Sequence, residues 1–264
     1  MTHSDYDALP GVRWSYLKEM GRSPAHYRYA VDHPREDTAA LRLGRAVHLA
    51  VLQPELFGDS YTTWQGTRRG KDWDIFRLSA EARGVEVLTA DEVALCLALQ
   101  TAVRSDPVAG PLLRVGSAEA PVQWTDPAGG VACKALIDFR DDCFIDLKTT
   151  RDASPGGFGR EVVRYGYAGQ MAFYRRGLAE TGRPACPVKI IAVEKTPPFA
   201  VVVFDVPVDV LDWGAEPIPD FLQMVKTCEA SGAWPAYPSP CQLTLPRWAM
   251  PQDDDGFDAE DGDF

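Results

Sequence analysis

Two neighbouring segments with strand-like alternation constrain this chain more than any other feature. From Glu119 onward the hydrophobic period changes to two, and residues 131–139 and 143–148 are apolar runs that carry charged residues inside them. A short polar turn, Arg140-Asp-Asp, separates the two runs. The pattern predicts two antiparallel core strands joined as a hairpin.

The remaining periodicities place this hairpin in a chain of mixed helices and strands. Helical spacing predicts helices over 41–52, 90–104, 162–180 and 219–230, and alternation predicts further strands over 120–124, 188–194 and 200–206. Residues 58–75 are polar, basic and aromatic and predict an exposed loop. The order of helices, β-meander, helix, two strands and helix is typical of an α+β (mixed α/β) fold.

Length and composition indicate a soluble globular protein. The 264 residues are 45% hydrophobic and 25% charged, which excludes a disordered or fibrous chain. We expect one domain over residues 1–251, with residues 1–40 as a helical lead-in, and an acidic, disordered tail over 252–264. No apolar run reaches the ~20 residues of a membrane span, and no secretory signal is evident, so we expect a cytoplasmic protein without a membrane partner.

The net charge of −11 does not exclude a nucleic-acid partner. Seven acids and no bases lie in the last twelve residues, and without these acids the net charge is −4. The body of the chain is therefore only mildly acidic, and local basic patches can still form on it.

The cysteines offer no metal-binding spacing. They stand at 96, 133, 143, 186, 228 and 241, and none forms a CxxC pair. Buried, reduced thiols are the simplest interpretation for a chain without a secretory signal. The pattern argues against a zinc site or an iron–sulfur cluster.

The hairpin carries the residues with the clearest chemistry. Alternation places Lys134 and Asp138 on one face of the first strand, and Asp146 and Lys148 on one face of the second. The hairpin brings Asp138 and Asp146 near each other. Two such acids hold Mg²⁺, which lowers the pKa of a bound water, and a lysine stabilises charge on a phosphate. The set suits phosphodiester hydrolysis, although surface acids beside a lysine would give the same pattern.

Short motifs spread over residues 20–250 carry a family resemblance. They are Ser23-Pro-Ala-His-Tyr, Leu43-Gly-Arg-Ala-Val-His48, Ala118-Glu119, Cys133-Lys with Ile137-Asp138, Asp146-Leu-Lys148-Thr-Thr, Gly166-Tyr-Ala-Gly-Gln170-Met-Ala-Phe-Tyr174 and Leu245-Pro-Arg-Trp. In this order they resemble the PD-(D/E)XK nuclease superfamily, and within it the RecE-like (exonuclease VIII type) exonucleases of phages and prophages. Ile137 replaces the proline of the superfamily name, which removes no ligand because that proline carries no chemistry.

The resemblance implies a nuclease core, a central mixed β-sheet flanked by helices, with a metal site on it. Asp138 and Asp146 correspond to the metal-binding carboxylates, and Lys148 corresponds to the catalytic lysine. His48 and the backbone carbonyl of Leu147 complete the implied metal site, which takes Mg²⁺ or, in its place, Mn²⁺. Without the resemblance, a histidine on an apolar helix face is more often a core residue.

Three further residues receive catalytic or cleft-lining roles from the resemblance. Glu119 corresponds to an acid on the first strand of the meander, with an outer metal role. Gln170 and Tyr174 correspond to a helix motif that lines the cleft and contacts DNA. An ordinary amphipathic helix would also place these two residues one turn apart.

Basic residues supply candidate contacts to the DNA backbone. They are Arg68, Arg69, Lys71, Arg160 and Arg164. The first three lie beside Trp64 and Trp73, which could stack on a strand end, although a solvated loop explains that stretch equally well.

The resemblance implies a metal-dependent 5′→3′ exonuclease that acts on the ends of linear double-stranded DNA and leaves 3′ single strands. It also implies a ring-shaped homo-oligomer, a trimer or tetramer, and a single-strand annealing protein as a partner in recombination. A phage or prophage gene in a bacterial host would encode it. The alternatives are another nuclease of the superfamily, either an endonuclease or a helicase-associated enzyme, and a catalytically silent DNA-binding scaffold.

Overall fold

A five-stranded mixed β-sheet forms the centre of the fold. The computed structural model describes residues 3–34, 37–127, 129–183 and 186–245. The strands of the central sheet are β3 (Ser117–Thr125), β4 (Ala132–Arg140), β5 (Phe144–Thr150), β6 (Val188–Glu194) and β7 (Val201–Asp205), and a separate parallel pair is β1 (Tyr61–Thr63) with β2 (Glu86–Leu88). In the central sheet the strands follow the order β3-β4-β5-β6-β7, and only β5 and β6 run parallel.

Helices cover both faces of this sheet. They are α1 (His3–Ala8), α2 (Trp14–Leu17), α3 (Pro24–Asp32), α4 (Ala39–Leu52), α5 (Pro54–Ser60), α6 (Lys71–Ala82), α7 (Ala90–Ser105), α8 (Ala109–Leu112), α9 (Pro155–Tyr165), α10 (Tyr167–Glu180), α11 (Val208–Ala215) and α12 (Ile218–Ser231), with a 3₁₀ turn at Lys18–Gly21. Helices α4 and α7 share one hydrophobic cluster with β5 and β6, and α10 and α12 share the other with β4, β5 and β6. The predicted mixed α/β class with a central sheet flanked by helices is confirmed.

Local sequence signals account for the ends of the helices that matter most to the site. Thr89 and Glu92 form a capping box at the start of α7, in which each side chain accepts a hydrogen bond from the other's backbone N–H. Thr38 caps α4 by accepting from the backbone N–H of Leu41. Gly166 adopts the left-handed conformation, φ +72°, between α9 and α10, which lets the chain turn from one helix directly into the next.

Two sequence-based expectations for individual segments are wrong, and one helix was not predicted. The single helix predicted over 162–180 is two helices broken at Gly166, because a left-handed residue cannot continue an α-helix. The loop predicted over 58–75 contains β1 and the first turn of α6. Helix α11 (Val208–Ala215) was absent from the sequence-based assignment.

Lys134 serves the fold and lies outside the candidate site. Its ammonium group donates to the backbone carbonyls of Tyr6, Asp7 and Leu9 at 3.0, 3.0 and 2.6 Å, and the residue is 5% exposed. It therefore caps the C-terminal end of α1 and attaches the start of the chain to β4. Strand alternation predicts only that Lys134 shares a face of this strand with Asp138.

The expected acidic tail over 252–264 lies outside the residues that the structure describes, as do the last three residues of Leu245-Pro-Arg-Trp. The single domain over 1–251 stays a prediction. None of the helices in the described residues combines the length and the apolar character that a membrane span needs.

Helix α10, which lines the candidate site, packs closely against α11. A Cβ atom on Gly214 would lie 2.4 Å from the backbone carbon of Ala168 in α10. We expect Gly214→Ala to push the two helices apart and to lower the free energy of unfolding by about 2 kcal/mol. Gly159→Ala in α9 is the matched control, since its Cβ would meet nothing within 4 Å and would raise stability by about 0.5 kcal/mol. Chemical denaturation measures both; equal effects would contradict the contact.

Candidate active site

The candidate site lies where β4 and β5 separate. These strands pair at Arg140↔Phe144 and Phe139↔Ile145, and the next rung would place Asp138 opposite Asp146. No further backbone pairing follows in that direction among the described residues. Instead, the carboxylate of Asp138 accepts a hydrogen bond of 2.8 Å from the backbone N–H of Leu147. The Asp138 side chain thus takes the place of a backbone acceptor, and the pairing of β4 with β5 stops. We call this gap between the two strands the split.

A backbone distortion brings Glu119 to the same point. The neighbouring rungs Ala118↔Phe139 and Ala120↔Ile137 place Glu119 opposite Asp138, and Glu119 has a positive φ of +48°. On β4, Ile137 packs in the cluster under α10 and Phe139 in the cluster under α4. The side-chain alternation therefore changes face across this rung. Glu119 and Asp138 meet at this rung. The positive φ of Glu119 is costly for a residue other than glycine.

Helix α4 contributes a histidine to these acids from one side of the sheet. The Nδ1 atom of His48 lies 3.5 Å from Oδ2 of Asp138. One ligand atom each from His48, Glu119 and Asp138 lies within 4.8 Å of the other two. The structure therefore brings together three predicted site residues that lie far apart in the sequence.

These three donors fit a divalent cation. Carboxylates lying side by side repel each other, and a bound cation would compensate both charges. Two carboxylate oxygens with one imidazole nitrogen suit Mg²⁺ and, because of the nitrogen, suit Mn²⁺ as well. Leu147, whose carbonyl is the fourth predicted ligand, is also at this place, because its backbone N–H donates to Asp138 at 2.8 Å.

Burial shifts the pKa of each residue in this cluster toward its uncharged form. Burial, and then the charge of Asp138, raises the pKa of Glu119 from 4.5 to about 8. Burial also raises the pKa of Asp138. Burial, together with nearby Lys148, lowers the pKa of His48 to about 4, so the imidazole is neutral at pH 7 and has a lone pair for a metal.

Asp146 and Lys148 form a second group on the other side of the split. The ammonium nitrogen of Lys148 lies 2.5 Å from Oδ2 of Asp146, whose side chain has no exposed surface. Burial raises the pKa of Asp146 to about 6, and Lys148 opposes that rise. Burial lowers the pKa of Lys148, but the two aspartates outweigh it and the net pKa is raised. The cluster of His48, Glu119 and Asp138 does not include Asp146.

Helix α10 presents one stripe of side chains to this pair. The amide of Gln170 donates to Oδ1 of Asp146 at 3.4 Å and lies 3.2 Å from the hydroxyl of Tyr174. Tyr174 is one helical turn beyond Gln170, and burial raises its pKa well above the ordinary value. Tyr167 lies one turn earlier, and the ammonium of Lys148 is 4.8 Å from the centre of its ring. Sequence reasoning gave Tyr167 no role, although the spacing of 167, 170 and 174 is that of one helix face.

The basic residues predicted to bind DNA lie outside this cluster. Arg68 donates to the carbonyl of Val87 at 3.2 Å, and its guanidinium carbon lies 5.5 Å from the ring centre of Trp73. It also lies 3.8 Å from Glu92, so part of its charge is already balanced within the protein. Arg69 and Lys71 are exposed.

The two arginines of α9 are also exposed. Arg160 lies 4.0 Å from a carboxylate oxygen of Asp152, and Arg164 lies over the ring of Tyr165 at 5.5 Å. Ion pairs as exposed as that of Arg160 contribute little to stability, so this guanidinium stays available to a phosphate. Binding of DNA by all five basic residues stays a prediction.

The acid cluster predicts how pH affects the metal-free protein. Between pH 4.5 and about 8 the folded state holds the Glu119 proton more tightly than the unfolded state, so raising the pH favours unfolding. We expect the Tm in EDTA to fall across this range and the fall to be shallower in Glu119→Gln. Thermal unfolding at a series of pH values measures this, with saturating Mn²⁺ as the control that removes the fall. A wild-type Tm that stays constant in EDTA would contradict the assignment.

Comparison with known proteins agrees with this fold. A family model described as a PDDEXK-like domain of unknown function (DUF3799) matches residues 14–245. No curated protein gives a significant match. Among solved structures, a candidate exonuclease from Eubacterium rectale covers 93% of this chain and 95% of its own, with a TM-score of 0.64 and 14% identity. A phage-related exonuclease from Haemophilus somnus 129PT covers 84% and 96%, at a TM-score of 0.36 and 13% identity. At such identities these likenesses concern the fold, and the second is too weak to carry an argument.

Proposed function

Because this chain belongs to the family of PDDEXK-like domains, we propose that it is a divalent-metal-dependent nuclease that hydrolyses phosphodiester bonds of DNA. The observation that carries the proposal is the arrangement at the split. There, His48, Glu119 and Asp138 offer three metal ligands within 4.8 Å of one another, and Lys148 pairs with Asp146 on the other side. A structural ion pair of Lys148 and Asp146 alone would not require Glu119 and Asp138, two neighbouring acids that repel each other.

The residues of the split divide the chemistry between them. His48, Glu119 and Asp138 would hold a divalent cation, which would lower the pKa of a bound water and neutralise charge that develops on the phosphate. Lys148 carries a positive charge whose N–H groups can hold the attacking water or a phosphate oxygen. Asp146 fixes that ammonium, and Gln170 fixes Asp146 by donating to its other oxygen. Neutral His48 completes the ligand set without adding a proton that would have to leave.

For substrate and direction we propose a 5′→3′ exonuclease of the RecE-like type that acts on linear duplex ends and leaves 3′ single strands. The motif order in the sequence supports this, from Leu43-Gly-Arg-Ala-Val-His48 to the Gln170 and Tyr174 pair. A homo-oligomeric ring, a single-strand annealing partner and a phage or prophage origin in a bacterial cytoplasm belong to the same proposal. Mg²⁺ is the proposed metal and Mn²⁺ its substitute.

The test uses linear duplex DNA labelled at one 5′ end, with Mg²⁺ or EDTA, for the wild type and Asp146→Ala. Release of 5′ mononucleotides by the wild type alone, only with Mg²⁺ and with closed circles left intact, is the expected result. Cutting of closed circles would make the protein an endonuclease of the same fold. Retained DNA binding without cleavage by either protein would favour the silent scaffold instead.

A further inference from the structure

The ammonium of Lys148 is held between two groups of different character. On one side, Oδ2 of Asp146 lies 2.5 Å from the ammonium nitrogen. On the other side, the centre of the Tyr167 ring lies 4.8 Å from the same nitrogen. The lysine side chain is only 15% exposed. A cation within about 6 Å of an aromatic ring is attracted to its face, and more strongly when water is excluded. The ring therefore occupies a position where water would otherwise hydrate the ammonium.

Tyr167 is itself fixed by the fold. It is the first residue of α10, and the indole N–H of Trp14 donates to the preceding carbonyl, that of Gly166, at 3.0 Å. Its ring packs against Phe158 and Tyr165, with ring centres 6.1 and 5.6 Å away. A ring held on several sides can orient a neighbour, whereas a mobile ring could not.

The same helix holds both members of the ion pair. Tyr167 contacts Lys148, and Gln170, one turn later, donates to Asp146 at 3.4 Å. A lysine has four rotatable side-chain bonds, and a single carboxylate partner restricts them only in part. A second contact from a rigid element reduces the number of positions that the ammonium can take.

We propose that Tyr167 is a positioning residue, whose ring face holds the Lys148 ammonium in place against Asp146. The effect on cleavage rests on the proposed function, but the contact itself does not. Since the ring makes the contact, its hydroxyl is dispensable. Tyr167→Phe should therefore behave like the wild type, and Tyr167→Leu should lower kcat by about 10-fold with the KM for DNA little changed.

The contact can be measured in metal-free protein without any cleavage assay. Protein with ¹³C-labelled lysine ε-carbons gives one methylene resonance for each lysine, and Lys148→Met identifies that of Lys148. Protons near the face of an aromatic ring are shifted upfield. We expect this shift in the wild type and Tyr167→Phe, and its loss in Tyr167→Leu. Tyr29→Leu is the matched control, because it removes an exposed tyrosine ring on α3 that stacks on His33 and leaves the rings around Lys148 in place.

The outcomes separate the two proposals. An upfield shift that persists in Tyr167→Leu, or that Tyr167→Phe also loses, overturns the positioning role. An equal loss of kcat in the Phe and Leu variants also overturns it, because the hydroxyl would then be responsible. The wild type could cleave no DNA while the upfield shift is present in the wild type and Tyr167→Phe and absent in Tyr167→Leu. The contact would then hold and the proposed nuclease function would fail. Thermal unfolding of Tyr167→Leu checks that the variant is folded before either comparison.

Discussion

Replacing Lys148 with methionine is expected to abolish cleavage and to destabilise the fold at once. Its ammonium is 2.5 Å from a carboxylate oxygen of Asp146, a side chain with no exposed surface. Removing one partner of a buried pair leaves an uncompensated charge, at about 3–5 kcal/mol of unfolding free energy. Losing the positive group at the reacting phosphate should lower kcat by about 100- to 1,000-fold. Chemical denaturation and single-turnover cleavage measure the two effects.

A double variant separates stability from chemistry. Asp146→Asn with Lys148→Met removes both charges of the pair, so most of the lost stability should return while cleavage stays absent. Lys195→Met, the same change at an exposed lysine, should alter the unfolding free energy by less than about 0.5 kcal/mol. If Lys148→Met proved as stable as the wild type, the buried pair would not have the energetic role assigned to it.

Asp138→Asn is expected to remove metal binding and cleavage and yet to leave the fold intact. The amide oxygen can still accept the hydrogen bond from the backbone N–H of Leu147, and the repulsion with Glu119 disappears. We expect the affinity for Mn²⁺ to fall by about 100-fold. At pH 8 in EDTA the Tm of the variant should equal or exceed that of the wild type, because Glu119 no longer faces a second carboxylate.

Titration calorimetry and the rise in Tm on adding Mn²⁺ measure this change, since a ligand that binds only the folded state stabilises it. Asp141→Asn, in the exposed turn between β4 and β5, is the matched control and should keep the full rise. An unchanged rise in Asp138→Asn would place the metal elsewhere in the protein.

The sequence predicted the central hairpin well because both of its strands lie in the core. Residues 131–139 and 143–148 alternate strongly enough to define a strand, and the observed strands are Ala132–Arg140 and Phe144–Thr150. The break between α9 and α10 was harder to predict, since a single glycine inside a helical pattern is tolerated in many helices. Ser154 followed by Pro155 marks the start of α9 and was a usable signal for a separate helix.

The sequence predicted the residues of the candidate site better than it predicted which of them lie together. Alternation placed Asp146 and Lys148 on one face, and the structure pairs them. Glu119 meets Asp138 and His48 because Glu119 has a positive φ and because the side chains of β4 change face between Ile137 and Phe139. Such distortions arise from packing between distant elements, and a local pattern does not contain them.

The split between β4 and β5 also determines how this chain would respond to selection for heat resistance. Asp138 keeps two strands apart that would otherwise continue their hydrogen-bonded ladder past Phe139↔Ile145. A β-branched apolar residue at position 138 would allow the ladder to continue and would remove a buried charge. Variants chosen for thermal stability alone should therefore accumulate changes at position 138. Any directed evolution of this protein would have to screen for cleavage in every round to keep its site.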